Sequence, residues 1–199
     1  MTSETPRRQS REPGSIDSIA RVAADLFYRN GYDATSMQDI ADAAGLHKSS
    51  LYHHLRHKEE LLEHVCRRTL DALDKSLEAG AGDETDRVIR AFDGALEVAL
   101  AQPRETHIIV HTKPTTDVGR RILQRRRAYE HRFAELIEES QEVGAVRTKF
   151  DPLLMARLAL GMINWLVEWY TPEKGLYTPA EVRAAATAFI AAGVGQADR

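Results

Sequence analysis

The residues best suited to binding chemistry lie between 43 and 58, where hydroxyl, phenol, imidazole and cationic side chains occur and none is acidic. If this segment forms a helix from about residue 48, Leu51 and Leu55 mark its buried side. The opposite side then carries groups that can each donate a hydrogen bond to a phosphate or a base edge: Ser49, Tyr52, His53 and Arg56. That pattern indicates a surface that binds nucleic acid.

Two short helices and a tight turn are predicted to position these groups. Ser36 and Asp39 have the spacing of a capping box, which predicts a helix from Met37 to Ala44. Gly45 supplies the positive φ that a tight turn requires. Residues 37–56 therefore predict a helix-turn-helix whose second helix enters the major groove of DNA.

Neighbouring residues are suited to holding the DNA backbone. Thr35 and Ser36 stand at a predicted helix N-terminus, where free N–H groups favour a phosphate, and Lys58 begins the next helix. Ser36 as a simple cap and Lys58 as a solvated helix start remain the alternatives. The predicted DNA-binding residues are Thr35, Ser36, Lys48, Ser49, Ser50, Tyr52, His53 and Lys58. His54 is expected to pack back against the first helices.

The chain as a whole predicts an all-α protein, because apolar residues recur at helical spacing and no segment alternates in the strand manner. Residues 1–14 are predicted to be a disordered basic arm, residues 15–62 a three-helix DNA-binding domain, and residues 63–199 a helical effector-binding and dimerisation domain. Further helices are predicted over Lys58–Ala79, Asp83–Gln102, Glu105–His111, Asp117–Glu142, Asp151–Tyr170 and Pro179–Val194.

Composition narrows the class further. The 199 residues carry 27 Lys and Arg against 30 Asp and Glu, so any nucleic-acid surface must be local. The single cysteine, Cys66, excludes an intramolecular disulfide framework. Without an apolar leader or a span of ~18 apolar residues, the chain is expected to be cytoplasmic and to have no membrane partner.

Residues 19–62 resemble the TetR family of bacterial repressors. The resemblance is carried by short groups of residues in register: Ala24 with Leu26-Phe27, Gly31-Tyr32, Thr35-Ser36-Met37, Asp39-Ile40-Ala41, Ala44-Gly45-Leu46, Leu51-Tyr52-His53-His54 and Lys58-Glu59-Glu60-Leu61-Leu62. Two positions depart from the family pattern, His47 where a Ser or Thr cap is common and Leu55 where Phe is usual.

The resemblance implies a sequence-specific transcriptional regulator that binds double-stranded operator DNA as a homodimer, through the last two helices of each subunit, and needs no cofactor. It also implies release by a hydrophobic or amphipathic small molecule, and the Asn164-Trp165…Trp169-Tyr170 stretch resembles a branch associated with acyl-CoA catabolism. The candidate effector-binding residues are Phe92, Leu96, Ile108, Tyr129, Phe133, Met162, Asn164 and Trp165.

Two other classes of protein are compatible with parts of the sequence. His107 and His111 are four residues apart, as metal ligands on one helix face are, which would suit an all-helical enzyme or a metal-binding protein. The residues between them, Ile-Ile-Val, lack the catalytic Glu of the zinc protease motif, so a pocket or core role is preferred and no metal is expected. A purely structural helical adaptor would not need Thr35, Tyr52 and Lys58 in register.

Overall fold

Helices provide the regular structure of residues 15–78, 84–170 and 175–195, which are the residues that this computed structural model describes. No strand occurs in those ranges. The helices are α1 (Ile16–Asn30), α2 (Met37–Ala43), α3 (Lys48–His54), α4 (Lys58–Leu77), α5 (Glu84–Ala101), α6 (Pro103–His111), α7 (Asp117–Glu142), α8 (Pro152–Trp169) and α9 (Pro179–Gly195). The predicted all-α class is confirmed; the predicted arm, residues 1–14, lies outside the described residues.

Local chemistry fixes the first helix. The Ser15 hydroxyl accepts a hydrogen bond from the N–H of Ser18 at 3.2 Å and so caps α1. Gly31 ends the helix with φ +85° and ψ 152°, so its φ is positive but its ψ is extended rather than left-handed helical. Its N–H still donates to the Phe27 carbonyl at 3.0 Å, which closes the last turn.

The buried apolar residues form two separate hydrophobic cores. The first joins α1–α3 to the first half of α4, with Ile19, Ile40, Leu51 and Leu61 fully buried. The second lies among α5, α7 and α8 and centres on Phe92 and Phe133. Helix α6 contributes Ile108 to the first core and packs against both α1 and α8. It therefore connects the DNA-binding helices to the rest of the chain.

The outer faces of α8 and α9 remain apolar and uncovered. Leu158, Trp165 and Phe189 are each about two thirds exposed, at 65%, 67% and 71%. A monomer normally buries side chains of this size. Within the described ranges, no helix is both long enough and apolar enough to cross a membrane.

Candidate nucleic-acid interface and effector cavity

The turn between α2 and α3 is a Schellman motif built on Gly45. The Leu46 N–H donates to the Ala41 carbonyl at 2.9 Å, and the Gly45 N–H donates to the Asp42 carbonyl at 3.1 Å. Gly45 has φ +66°, a conformation that a side chain would strain. The turn fixes the direction in which α3 leaves α2, and this is the geometry that a helix-turn-helix requires.

Helix α3 is anchored on one side and free on the other. Leu51 is completely buried and Leu55 is nearly so. Lys48, Ser49, Tyr52 and His53 are exposed, and Ser50 is half-buried. The His47 side chain makes no cap hydrogen bond with α3. The structure therefore presents donors, and no carboxylate, on the exposed part of α3.

The Thr35 side chain is held within the chain. It is 1% exposed, and its hydroxyl donates to the Gly31 carbonyl at 2.9 Å, at the end of α1. The phosphate contact expected at Thr35 stays a prediction. The carbonyl of Thr35 is occupied as well, since it accepts a hydrogen bond from Lys58 Nζ at 2.7 Å.

Lys58 is engaged within the chain. Besides Thr35, its ammonium donates to the Tyr32 carbonyl at 2.7 Å and lies 4.3 Å from the centre of the Tyr32 ring, within range of a cation–π contact. The side chain thus joins the start of α4 to the loop between α1 and α2. In this arrangement it positions the DNA-binding helices rather than projecting freely from them.

Ser36 forms the predicted capping box. Its hydroxyl accepts from the Asp39 N–H at 3.1 Å, and its own N–H donates to the Asp39 carboxylate at 2.7 Å, which lowers the pKa of that carboxyl. The expectation for His54 is wrong, because its side chain is exposed rather than packed against the first helices.

A cavity of about 230 Å³ lies among α4, α5, α6, α7 and α8. Half of its lining residues are apolar: Leu70, Leu73, Ala95, Ala99, Ile109, Val110, Leu123, Leu160 and Ile163. Thr106, Tyr129 and Asn164 add polar groups. The Tyr129 hydroxyl lies 3.0 Å from the Ser76 hydroxyl, and burial raises the pKa of Tyr129 to about 12, so the phenol stays neutral.

Arginines surround this cavity, and most are paired. Arg125 binds Asp71 and Asp74, and Arg157 binds Glu130 at 2.8 Å. Arg126 donates to the carbonyls of Ile109 and Val110 at the end of α6. Arg127 also lines the cavity, is exposed, and has no acidic partner in the part of the chain that the structure describes.

The structure does not bring the predicted effector residues together. Tyr129 and Asn164 line the α4–α8 cavity. An open groove of about 560 Å³ between α5, α8 and α9 is lined instead by four others: Phe92, Leu96, Met162 and Trp165. Ile108 belongs to the N-terminal core, and Phe133 is completely buried in the second core. Helical periodicity cannot separate a core position from a cavity wall. Ala95 and Ala99 line the cavity, but their sequence pattern is the same as that of core residues.

Family models match both parts of the chain. Residues 19–65 match the model described as bacterial regulatory proteins, tetR family, and residues 81–194 match the model described as tetracyclin repressor-like, C-terminal domain. The fold and the helix-turn-helix define a DNA-binding transcriptional regulator. The chain belongs to the TetR family.

Individual proteins of the family are similar to this chain over most of its length. The chain is 34% identical to SCO3833, a TetR-family regulator of Streptomyces coelicolor, over 98% of this chain and 94% of that one, with a TM-score of 0.81. It is 27% identical to the transcriptional repressor KstR2 of Mycolicibacterium smegmatis, covering 86% of this chain and 85% of KstR2. AibR, solved in complex with isovaleryl coenzyme A and operator DNA, is 26% identical, with a TM-score of 0.75 and coverage of 87% and 96%.

These relationships decide between the classes considered from the sequence. The family and the relatives are transcriptional regulators, so the enzyme alternative is rejected. Regulators of this family bind operator DNA and respond to small molecules.

Proposed function

We propose that the chain is a repressor that binds its operator as a homodimer and is released by an acyl-CoA thioester. The observation that carries DNA binding is the exposed, acid-free side of α3 held on the buried Leu51. Lys48 is suited to a phosphate, and Ser49, Tyr52 and His53 are suited to base edges and the adjoining backbone. Thr35 and Lys58 serve by holding this unit in place.

The uncovered faces of α8 and α9 support the homodimer. Large apolar groups on α8, including Leu158 and Trp165, and small residues on α9, including Ala184 and Ala188, are all exposed. Small residues let two helices approach closely, and the large ones would lose contact with water in a four-helix interface. Two recognition helices related by a two-fold axis can then read half-sites about one helical turn, ~34 Å, apart.

The size of the cavity supports a ligand of which only one part is enclosed. Sites that enclose a whole drug-sized molecule measure about 300–1,000 Å³, whereas the α4–α8 cavity measures about 230 Å³. It can hold an acyl group, while a larger charged part stays at the surface. Arg127 is the exposed cation there with no described acidic partner, and it suits the phosphates of coenzyme A. The isovaleryl coenzyme A bound by AibR belongs to the same ligand class.

Helix α4 provides the connection between the two sites. It begins at Lys58, which holds the α1–α2 loop, and it packs against α5 and α7 beyond the first core. Leu70 and Leu73 of α4 line the cavity. A ligand that shifts α4 would change the spacing of the two recognition helices, and only a ligand that prefers the shifted state can release DNA.

DNA recognition is tested by selecting duplexes from a random library with the parent protein. His53→Ala should change the preferred sequence, since a base contact carries specificity. His131→Ala, an exposed histidine on α7, is the matched control and should select the parent sequence. If His53→Ala also selects the parent sequence, α3 does not recognise the operator bases through His53.

The dimer is tested by sedimentation at micromolar concentration. The parent should be a dimer, and Ala188→Asp on the outer face of α9 should be monomeric, because an unpaired carboxylate would be buried. Ala128→Asp on the exposed side of α7 is the control and should remain a dimer. A monomeric parent would contradict the proposal.

The ligand class is tested by titration calorimetry with two thioesters of the same acyl group, one of coenzyme A and one of pantetheine, which lacks the nucleotide phosphates. Arg127→Ala should weaken binding of the CoA thioester by about 10-fold, the loss expected of one charge-assisted hydrogen bond. It should leave the affinity for the pantetheine thioester unchanged. Arg120→Ala, whose guanidinium pairs with Asp117 outside the cavity, should change neither. Equal weakening of both thioesters by Arg127→Ala would contradict the assignment.

A further inference from the structure

A second polar cluster lies apart from the effector cavity, between α6 and α8. His107 and His111 stand one helical turn apart on α6 with their rings stacked at 4.2 Å, and Glu168 of α8 faces both. The distance from Glu168 Oε1 to His107 Nδ1 is 3.4 Å, and to His111 Nε2 it is 3.5 Å. The three ligand atoms all lie within 4.8 Å of one another.

The tautomer of His111 is fixed by its own helix. His111 Nδ1 lies 3.1 Å from the carbonyl oxygen of His107, which can only accept, so this nitrogen carries the proton. In the neutral ring, Nε2 then presents a lone pair to the Glu168 carboxylate. A backbone carbonyl that holds the distal N–H in this way is the usual outer contact of a metal-binding histidine.

His107 contributes a second ring nitrogen to the cluster. Its Nδ1 is buried and makes no well-formed hydrogen bond, although Glu168 is close. Two imidazole rings and a carboxylate, each able to bind a metal ion, therefore lie close together between α6 and α8.

The distances at Glu168 are close to those of a tetrahedral metal site. Zn–N and Zn–O bonds of about 2.0–2.1 Å place two ligands of a tetrahedron about 3.3–3.4 Å apart. Glu168 Oε1 lies 3.4 Å from His107 Nδ1 and 3.5 Å from His111 Nε2. We propose that His107, His111 and Glu168 bind a divalent zinc ion, with a fourth position open to water. Sequence spacing supplied only the histidine pair; Glu168, on another helix, is the ligand that it could not supply.

The zinc site lies at the junction between the DNA-binding helices and the rest of the chain, so a bound ion would affect the stability of this junction. Helix α6 packs against α1, and the edge of the Tyr28 ring meets the His107 ring with centroids 4.9 Å apart. An ion bound by α6 and α8 would cross-link two helices of the C-terminal part directly beside the end of α1. It would therefore stabilise the junction between the DNA-binding helices and the rest of the chain.

The experiment uses the full, untagged chain, freed of metal by dialysis against a chelator, and zinc added alone. Calorimetry should give one zinc ion per chain, and cobalt in place of zinc should give the intense visible absorption of a tetrahedral site. Glu168→Gln should lower zinc affinity by about 100-fold or more, since even changes in outer contacts cost 10–100-fold. His131→Ala, outside the cluster, should bind zinc like the parent.

A thermal melt separates loss of a ligand from loss of the fold. Zinc should raise the melting temperature of the parent and of His131→Ala and leave that of Glu168→Gln and His111→Ala unchanged, while all four melt cooperatively without metal. A parent that binds no zinc, or a Glu168→Gln variant that binds zinc as tightly as the parent, would overturn the proposal. The cluster would then be a histidine–carboxylate ion pair only.

Discussion

Replacing Lys58 with alanine should lower the stability of the protein while leaving the salt dependence of DNA binding nearly unchanged. A lysine that contacts a phosphate releases a counterion, so its loss lowers the slope of log K against log salt by about 0.9. Lys58 instead donates two hydrogen bonds of 2.7 Å to the carbonyls of Tyr32 and Thr35. The structure therefore predicts a positioning role for this ammonium group.

The size of the effect follows from these contacts. A hydrogen bond to a charged group contributes about 1.5–3 kcal/mol when sheltered from water. Lys58 is half-buried, so the two bonds together should contribute about 2 kcal/mol, close to 30-fold in the unfolding equilibrium. Lys58→Met keeps most of the aliphatic stem and should lose about as much, because the carbonyls lose the same donor.

Urea denaturation at one protein concentration measures the stability, and fluorescence anisotropy with a labelled operator at several salt concentrations measures the slope. Lys48→Ala is the matched comparison and should behave in the opposite way, since Lys48 is exposed on α3. Its slope should fall by about one while its stability stays within about 0.5 kcal/mol of the parent. If Lys58→Ala loses a full unit of slope at parental stability, the positioning role is refuted.

Three further predictions concern the fold. Gly119→Ala would place a Cβ in overlap with the Lys113 carbonyl oxygen, so the melting temperature should fall by several degrees, consistent with an overpacking cost of about 1–3 kcal/mol. An unchanged melting temperature would contradict the tight connection between α6 and α7. The hydrogen bond from Arg183 lowers the pKa of Asp93, so its stabilisation is present above the ordinary carboxyl pKa and is lost as pH falls. Asp93→Asn should therefore be less stable than the parent in urea at pH 7, and the difference should shrink below about pH 4; a constant difference would contradict this. Burial raises the pKa of Cys66 to about 12, so a thiol reagent at pH 8 should label it only in urea, and rapid labelling of the native protein would show that α4 is more open than described.

The helical elements were largely predictable because several of their boundaries have a local cause. The predicted bounds of α7, Asp117–Glu142, are the observed ones. Thr116 caps its start, because the Thr116 hydroxyl accepts a hydrogen bond from the Gly119 N–H at 3.0 Å. The helix-turn-helix was equally predictable, because the turn at Gly45 and the capping box at Ser36 are determined by residues that are close in sequence.

The sites formed between distant elements were not predictable in the same way. Thr35 carries the same hydroxyl whether it meets a phosphate or the end of α1, and only the packed fold shows that it is buried. Trp165 lies on the apolar helix α8, yet it faces outward at 67% exposure. Glu168 meets His107 through packing of α8 on α6, a contact between residues 61 positions apart that no local pattern encodes.

In the proposed mechanism, effector and operator binding oppose each other, and a linked titration measures this opposition from both sides. Operator affinity is measured by anisotropy at rising concentrations of an acyl-CoA thioester, and thioester affinity is measured by calorimetry with and without operator. Thermodynamic linkage requires the same factor in both directions, typically 5–150-fold. We expect the thioester to weaken operator binding by the same factor as operator weakens thioester binding, and Arg127→Ala to require about 10-fold more CoA thioester for release. A thioester that binds tightly and leaves operator affinity unchanged would contradict the mechanism.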